Sequence, residues 1–166
     1  MKKTTLLCLV CLFATACAEK PLPGNIYEST SKIDGSRQLI MEPAPVFGAS
    51  TKLSLFKNTY MPEDIIVLKV VVSVVESFSE DASLQFIMDG DAYSFAPISR
   101  VTNFTSWSSM DFTITKAFLR KLIDAEKVIM KVISEGKKYT EGEFSRDDPG
   151  TARPAFWEFY AKLATF

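Results

Sequence analysis

Apolar residues recur along this chain with two distinct periods, and the switch between them marks out the elements. From Ile65 to Val75 the period is two: Ile66, Leu68, Val70, Val72 and Val74 make one uninterrupted apolar face, while Lys69 and Ser73 break the other face among Ile65, Val67, Val71 and Val75. This predicts a central strand with one face fully buried. Its β-branched residues oppose a helix, and a run this short with a lysine in it does not span a bilayer.

Leu84–Met88 and Asp91–Phe95 flank Asp89-Gly90, a dipeptide suited to a two-residue type I′ hairpin turn because both residues tolerate positive φ. The turn sets a register: Met88 opposite Asp91, Phe86 opposite Tyr93, Leu84 opposite Phe95, which brings large apolar side chains together on one face. Asp89 and Asp91 are turn residues on this reading. A calcium loop needs more oxygens at set spacing.

Met110, Phe112 and Ile114 alternate with Asp111 and Thr113, after which the period lengthens. Thr115 offers an N-cap, and Phe118, Leu119, Leu122 and Ile123 form the stripe of an amphipathic helix over about 116–126. Val128–Ile133 returns to strand and pairs with Tyr139–Phe144 as a hairpin. A second helix, about 154–164, follows Arg153-Pro154, with Phe156, Phe159, Tyr160 and Leu163 at i, i+3, i+4, i+7 spacing. Arg37–Met41 and Lys52–Lys57 are shorter strands, held apart by Glu42-Pro43-Ala44-Pro45, where proline opposes continuous pairing. The fold class expected is α+β: an antiparallel sheet or sandwich-like core with two packed helices, forming one globular domain over 37–166.

The segment before that domain has neither period. Ala18–Ser36 is mostly polar, with Pro21, Pro23, Gly24 and Gly35, and reads as a flexible tether spanning on the order of 25 Å. Ahead of it, Lys2 and Lys3 precede an apolar run from Leu6 to Phe13 that has the length of an export signal over 1–16. Ala14-Thr15-Ala16-Cys17 resembles the lipobox of bacterial lipoproteins, with Ala14 where that family usually carries leucine. The resemblance implies acylation of Cys17, lipid anchoring in the membrane of the cell envelope and a tethered N-terminus over 17–36. Ala18 after the cysteine resembles lipoproteins sorted to the outer membrane, facing the periplasm. Ala14 and Ala16 also meet the small-x-small rule of an ordinary secretory peptidase, whose cut would release a soluble periplasmic chain.

Composition narrows the chemistry. The 166 residues include no histidine, and the three cysteines, Cys8, Cys11 and Cys17, all lie in or next to the signal segment. Nothing after Cys17 carries a thiol or an imidazole, so Ser-His-Asp and Cys-His nucleophile systems and imidazole-bearing zinc sites have no residues to form them. The Cys8/Cys11 pair is apolar filler of the signal. Formal net charge is −1, and loss of Lys2 and Lys3 makes it two units more negative. No basic field for nucleic acid exists. No glycine-rich phosphate loop occurs, and no cofactor is indicated.

Paired carboxylates and a lysine-activated serine are the catalytic options left. Glu141 and Glu143 share one face of a hairpin strand, where two carboxylates ordinarily form the solvated side. A loop that concentrates charge, Arg146, Asp147, Asp148 and Arg153, precedes the second helix, with Trp157 one turn further on. Its two arginines and the free amides of a helix start could hold an anionic group, or pair with the two aspartates and organise the loop. Trp107, in the polar stretch Asn103–Ser109, is either a stacking platform for sugar or peptide or a cap on the core. The contact candidates are therefore Trp107, Arg146, Arg153 and Trp157, and the lipid-attachment candidate is Cys17. Together they describe a non-enzymatic envelope lipoprotein that binds a protein or cell-wall partner. The competing reading is a carboxylate-dependent glycan hydrolase using Glu141, Glu143, Asp147 and Asp148.

Overall fold

The computed structural model describes residues 24–46, 50–73, 78, 82–100, 102–103, 106–134, 139–144 and 151–166. Cys17, Arg146, Asp147 and Asp148, and the signal segment, lie outside the described residues. The strands are β1 (Ile26–Thr30), β2 (Arg37–Pro45), β3 (Thr51–Asn58), β4 (Ile65–Val72), β5 (Leu84–Met88), β6 (Asp91–Phe95), β7 (Thr102–Asn103), β8 (Ser108–Thr115), β9 (Val128–Ile133) and β10 (Tyr139–Phe144). The helices are α1 (Lys116–Asp124) and α2 (Ala152–Lys162). The fold is α+β. Two antiparallel sheets, ordered β1-β2-β3-β4-β8-β7 and β10-β9-β5-β6, contribute to one continuous apolar core.

Strand β4 sits in the middle of the larger sheet, between β3 and β8. Ile66, Leu68, Val70 and Val72 are fully buried, as its period-two pattern demands, while Lys69 is exposed on the opposite face. There Lys69 stands opposite Asp111 of β8 and forms a cross-strand ion pair at 3.7 Å. In the smaller sheet the Asp89-Gly90 turn sets the expected register, Met88↔Asp91, Phe86↔Tyr93 and Leu84↔Phe95. Asp89 has φ 51° and Gly90 φ 99°, the doubly left-handed backbone of a type I′ turn. Phe86, Tyr93 and Phe95 then meet Phe118 of α1, at centroid separations of 5.7, 5.6 and 4.7 Å.

Helix α1 begins where its sequence asks it to. The Thr115 hydroxyl accepts from Phe118 N at 3.1 Å, and Leu119, Leu122 and Ile123 are buried. Helix α2 starts at Ala152, slightly before the expected 154. Pro154 is accommodated because the first turn of a helix has no intrahelical use for that N–H. Phe156 and Phe159 are fully buried, while Tyr160 and Leu163 pack at the edge of the core. α2 lies against α1 and against β1, β2 and β3.

Two expectations give way. Residues 26–30, expected within the tether, form strand β1, which pairs with β2 from Ile26↔Met41 to Thr30↔Arg37. Only Ile26 of this strand is buried, so it left no periodic trace in the sequence. The stretch Glu42–Pro45 does not end its strand either. β2 runs on to Pro45, with a register shift between Met41 and Ala44 that resumes as Ala44↔Leu53 and Pro45↔Lys52. β1 stops pairing at Met41, so the prolines occupy a one-sided stretch of β2 in which one ladder needs no donor, and the shift absorbs the rest.

Candidate functional site

The open space nearest the candidate residues is a cleft of about 460 Å³ between the two helices, bordered by Arg120, Ile123, Asp124, Arg153, Pro154 and Trp157. Its shape follows from helix periodicity. α1 turns Leu119, Leu122 and Ile123 inward, which leaves Arg120 and Asp124, one turn apart, on its outer side. α2 turns Ala155, Phe156 and Phe159 inward, which leaves Trp157 outside at 59% exposure.

The cleft's polar groups are ordered by one another. Arg120 Nε donates to Asp124 Oδ2 at 2.6 Å, and the Arg120 guanidinium lies 5.5 Å from the centre of the Tyr160 ring. Trp157 precedes Tyr160 by three residues on α2 and borders the cleft together with Arg120.

Arg153 and Trp157 thus border one cleft, but they do different things there. Arg153 is 2% exposed and turned inward, where its Nη2 donates to Ile123 O at 3.0 Å and to Ala125 O. Those carbonyls belong to the end of α1, where unpaired acceptors and the helix dipole both favour a cation. Arg153 is therefore a brace between helices before it is a ligand contact. The sequence pointed to its charge but could not reveal its burial. Arg120 and Asp124 are legible in the sequence only as the polar side of the helix, because an i, i+4 pair on a helix surface looks like any solvated face.

The other candidates are elsewhere. Trp107, half-buried, immediately precedes β8 and does not border the cleft. Glu141 and Glu143 are exposed on β10. Glu141 stands opposite Lys131 of β9 and pairs with it at 3.1 Å, so its charge is met by an adjacent strand rather than held in a pocket. A second open cavity, about 500 Å³, runs beside β6 and is bordered by Ile65, Tyr93, Phe95, Ile114 and Phe118 among others. It is lined largely by apolar and hydroxyl groups without a charged side chain.

Among the described residues, no group of three or more histidine, cysteine, aspartate or glutamate side chains is placed to hold a metal ion. No helix among them is long and apolar enough to cross a membrane. Compared with protein-family models, with curated proteins and with solved structures, the chain matches none.

Proposed function

We propose that this chain is a lipid-anchored protein of the bacterial cell envelope, attached through Cys17 to the outer membrane and facing the periplasm, whose domain binds a protein or cell-wall partner without catalysing a reaction on it. The anchor rests on the sequence: a basic start, an apolar run of signal length and Ala14-Thr15-Ala16-Cys17. Several acyl chains on one cysteine make attachment durable, since each buried methylene contributes about 0.8 kcal/mol.

The observation that carries the binding reading is Trp157. A tryptophan on a helix packed into the core has an obvious place to be buried, yet this one stands in the open beside an ordered Arg120–Asp124 pair. Exposed aromatics next to a few fixed polar groups are what recognition surfaces are made of.

The test has two arms. Intact-mass measurement of the exported protein should find acyl chains on Cys17 in the membrane fraction, and a photoreactive residue at position 157 should yield crosslinked adducts in whole cells. Recovery of the protein wholly unacylated and soluble would overturn the anchor. Absence of any adduct would overturn the binding role of this face.

A further inference from the structure

We propose that the α1–α2 cleft is a saccharide site that takes a neutral pyranose ring, stacked on Trp157 and hydrogen-bonded to Arg120 and Asp124. This rests on the binding role proposed above and assigns it a ligand class. Three properties of the lining favour a sugar over other occupants.

The first is the exposed indole. Its ring face carries the negative lobe of the aromatic quadrupole, and the C–H groups on one face of a pyranose present the matching positive edge. The second is the pairing of a donor with an acceptor. Arg120 uses Nε on Asp124 Oδ2, which leaves its two Nη groups and Asp124 Oδ1 without another partner among the described residues. A hydroxyl both donates and accepts, so neighbouring hydroxyls on one ring can bridge such a pair in a way that a purely anionic or purely cationic group cannot.

The third is that the described residues of the lining offer no spare positive centre. The Arg120 charge is matched by Asp124, and Arg153 Nη2 is committed to the carbonyls of Ile123 and Ala125. A phosphate or carboxylate ligand would find no uncommitted cation among the described residues of these walls. An extended peptide would need a strand edge for its backbone, and helices form both sides of this cleft. The space, about 460 Å³, falls in the range of small-ligand pockets, with Ile123 and Pro154 supplying apolar walls.

The chain contains two tryptophans, so Trp107→Phe leaves Trp157 as the sole indole reporter. The full-length protein carrying that substitution is titrated with chitotriose, cellotriose and maltotriose, following indole emission. A saturable change with at least one of them is expected. Calorimetry on the same sugar should then show binding weakened at least about tenfold by Trp157→Ala and by Asp124→Asn. Asp124 lies in an exposed pair, which contributes little to folding, so circular dichroism of Asp124→Asn should match the parent.

Failure of all three sugars to saturate the signal up to about 10 mM overturns the proposal, as does binding that survives Trp157→Ala. The crosslinking arm above separates the two readings. Adducts from position 157 to an envelope protein, with no sugar bound, leave the binding role intact and refute the saccharide. Neither adducts nor sugar binding refutes both.

Discussion

Arg153 Nη2 donates to the carbonyl oxygen of Ile123 at 3.0 Å, so a charged side chain from the first turn of α2 closes over the last turn of α1. The guanidinium also reaches Ala125 O, the C-cap residue of the same helix, and so occupies the place where a cation best opposes the helix dipole. The side chain is buried, so its removal takes a charged donor from both carbonyls at once and leaves a void beside the cleft. Arg153→Ala is expected to cost about 3 kcal/mol in urea unfolding, and Arg153→Lys part of that, since an ammonium lacks the planar fork that spans two acceptors. A ligand contact would lose affinity on substitution and leave stability unchanged. Unfolding midpoints of the two variants equal to the parent would rule out the brace.

A second cation is drawn in by the same logic. Lys57 continues the inward face of β3 after Thr51, Leu53 and Leu55, and is 6% exposed. Its ammonium answers to three backbone carbonyls of the following turn: Pro62 O, Glu63 O at 3.1 Å and Ile65 O at 2.9 Å. Lys57→Met keeps the stem and removes the donors, and is expected to destabilise by about 2 kcal/mol. Burial, partly offset by Asp64 and Glu63, pulls the Lys57 pKa below its ordinary value of 10.5. As pH climbs through the lowered folded value toward 10.5, the unfolded chain holds this proton and the folded chain has released it. Stability contributed by this group therefore rises across that window and is flat below it. The difference in unfolding free energy between parent and Lys57→Met should widen as pH approaches 10.5. A gap that narrows there would contradict the burial of this amine.

What the sequence made legible, and what it hid, divides along physical lines. β4 and the β5–β6 hairpin were readable because a period of two and a turn that demands positive φ are local signals. The cap at Thr115 was readable for the same reason. β1 was not, because an edge strand that buries only Ile26 has no periodicity to detect, and its place is set by β2 and α2. The bulge that carries Pro43 and Pro45 through β2 depends on where β1 ends, which no window around the prolines contains. At the candidate site, Trp157 was visible as a residue type. The Arg120–Asp124 pair is local to α1 but marks no site until α2 stands beside it, and the inward turn of Arg153 follows from how two helices distant in sequence meet.

The docking of the segment before β1 on α2 is tested at Gly24. This residue has φ +88°, and a Cβ built on it would lie 2.6 Å from the Cβ of Ala155 and 3.1 Å from that of Ala44. Gly24→Ala carries two penalties, left-handed backbone strain and overlap with α2, and should destabilise by about 2 kcal/mol in total. Ala155→Gly relieves only the overlap with α2, leaving the strain and the 3.1 Å approach to Ala44. A double-mutant cycle should show favourable coupling of about 1 kcal/mol, with the strain left over. Additive effects would mean that the chain entering β1 is not seated on α2.

Asp89 joins two turns that are far apart in sequence. Its left-handed backbone makes the β5–β6 hairpin, its carboxylate accepts from Lys127 N at 2.8 Å and Glu126 N at 3.2 Å, and its own N–H donates to Lys127 O at 3.0 Å. The side chain thereby ties the hairpin tip to the α1–β9 connection, a structural use for an acidic residue that would otherwise invite a metal reading. Asp89→Ala removes both acceptors and places a residue with less left-handed tolerance at φ 51°, for an expected loss of about 2 kcal/mol. Asp89→Asn keeps the turn preference and one strong acceptor, and should lose less than half as much. The ordering of these two variants in urea unfolding, with no calcium dependence in either or in the parent, is the expected result. Stabilisation of the parent by millimolar calcium that vanishes in both variants would show instead that Asp89 serves an ion.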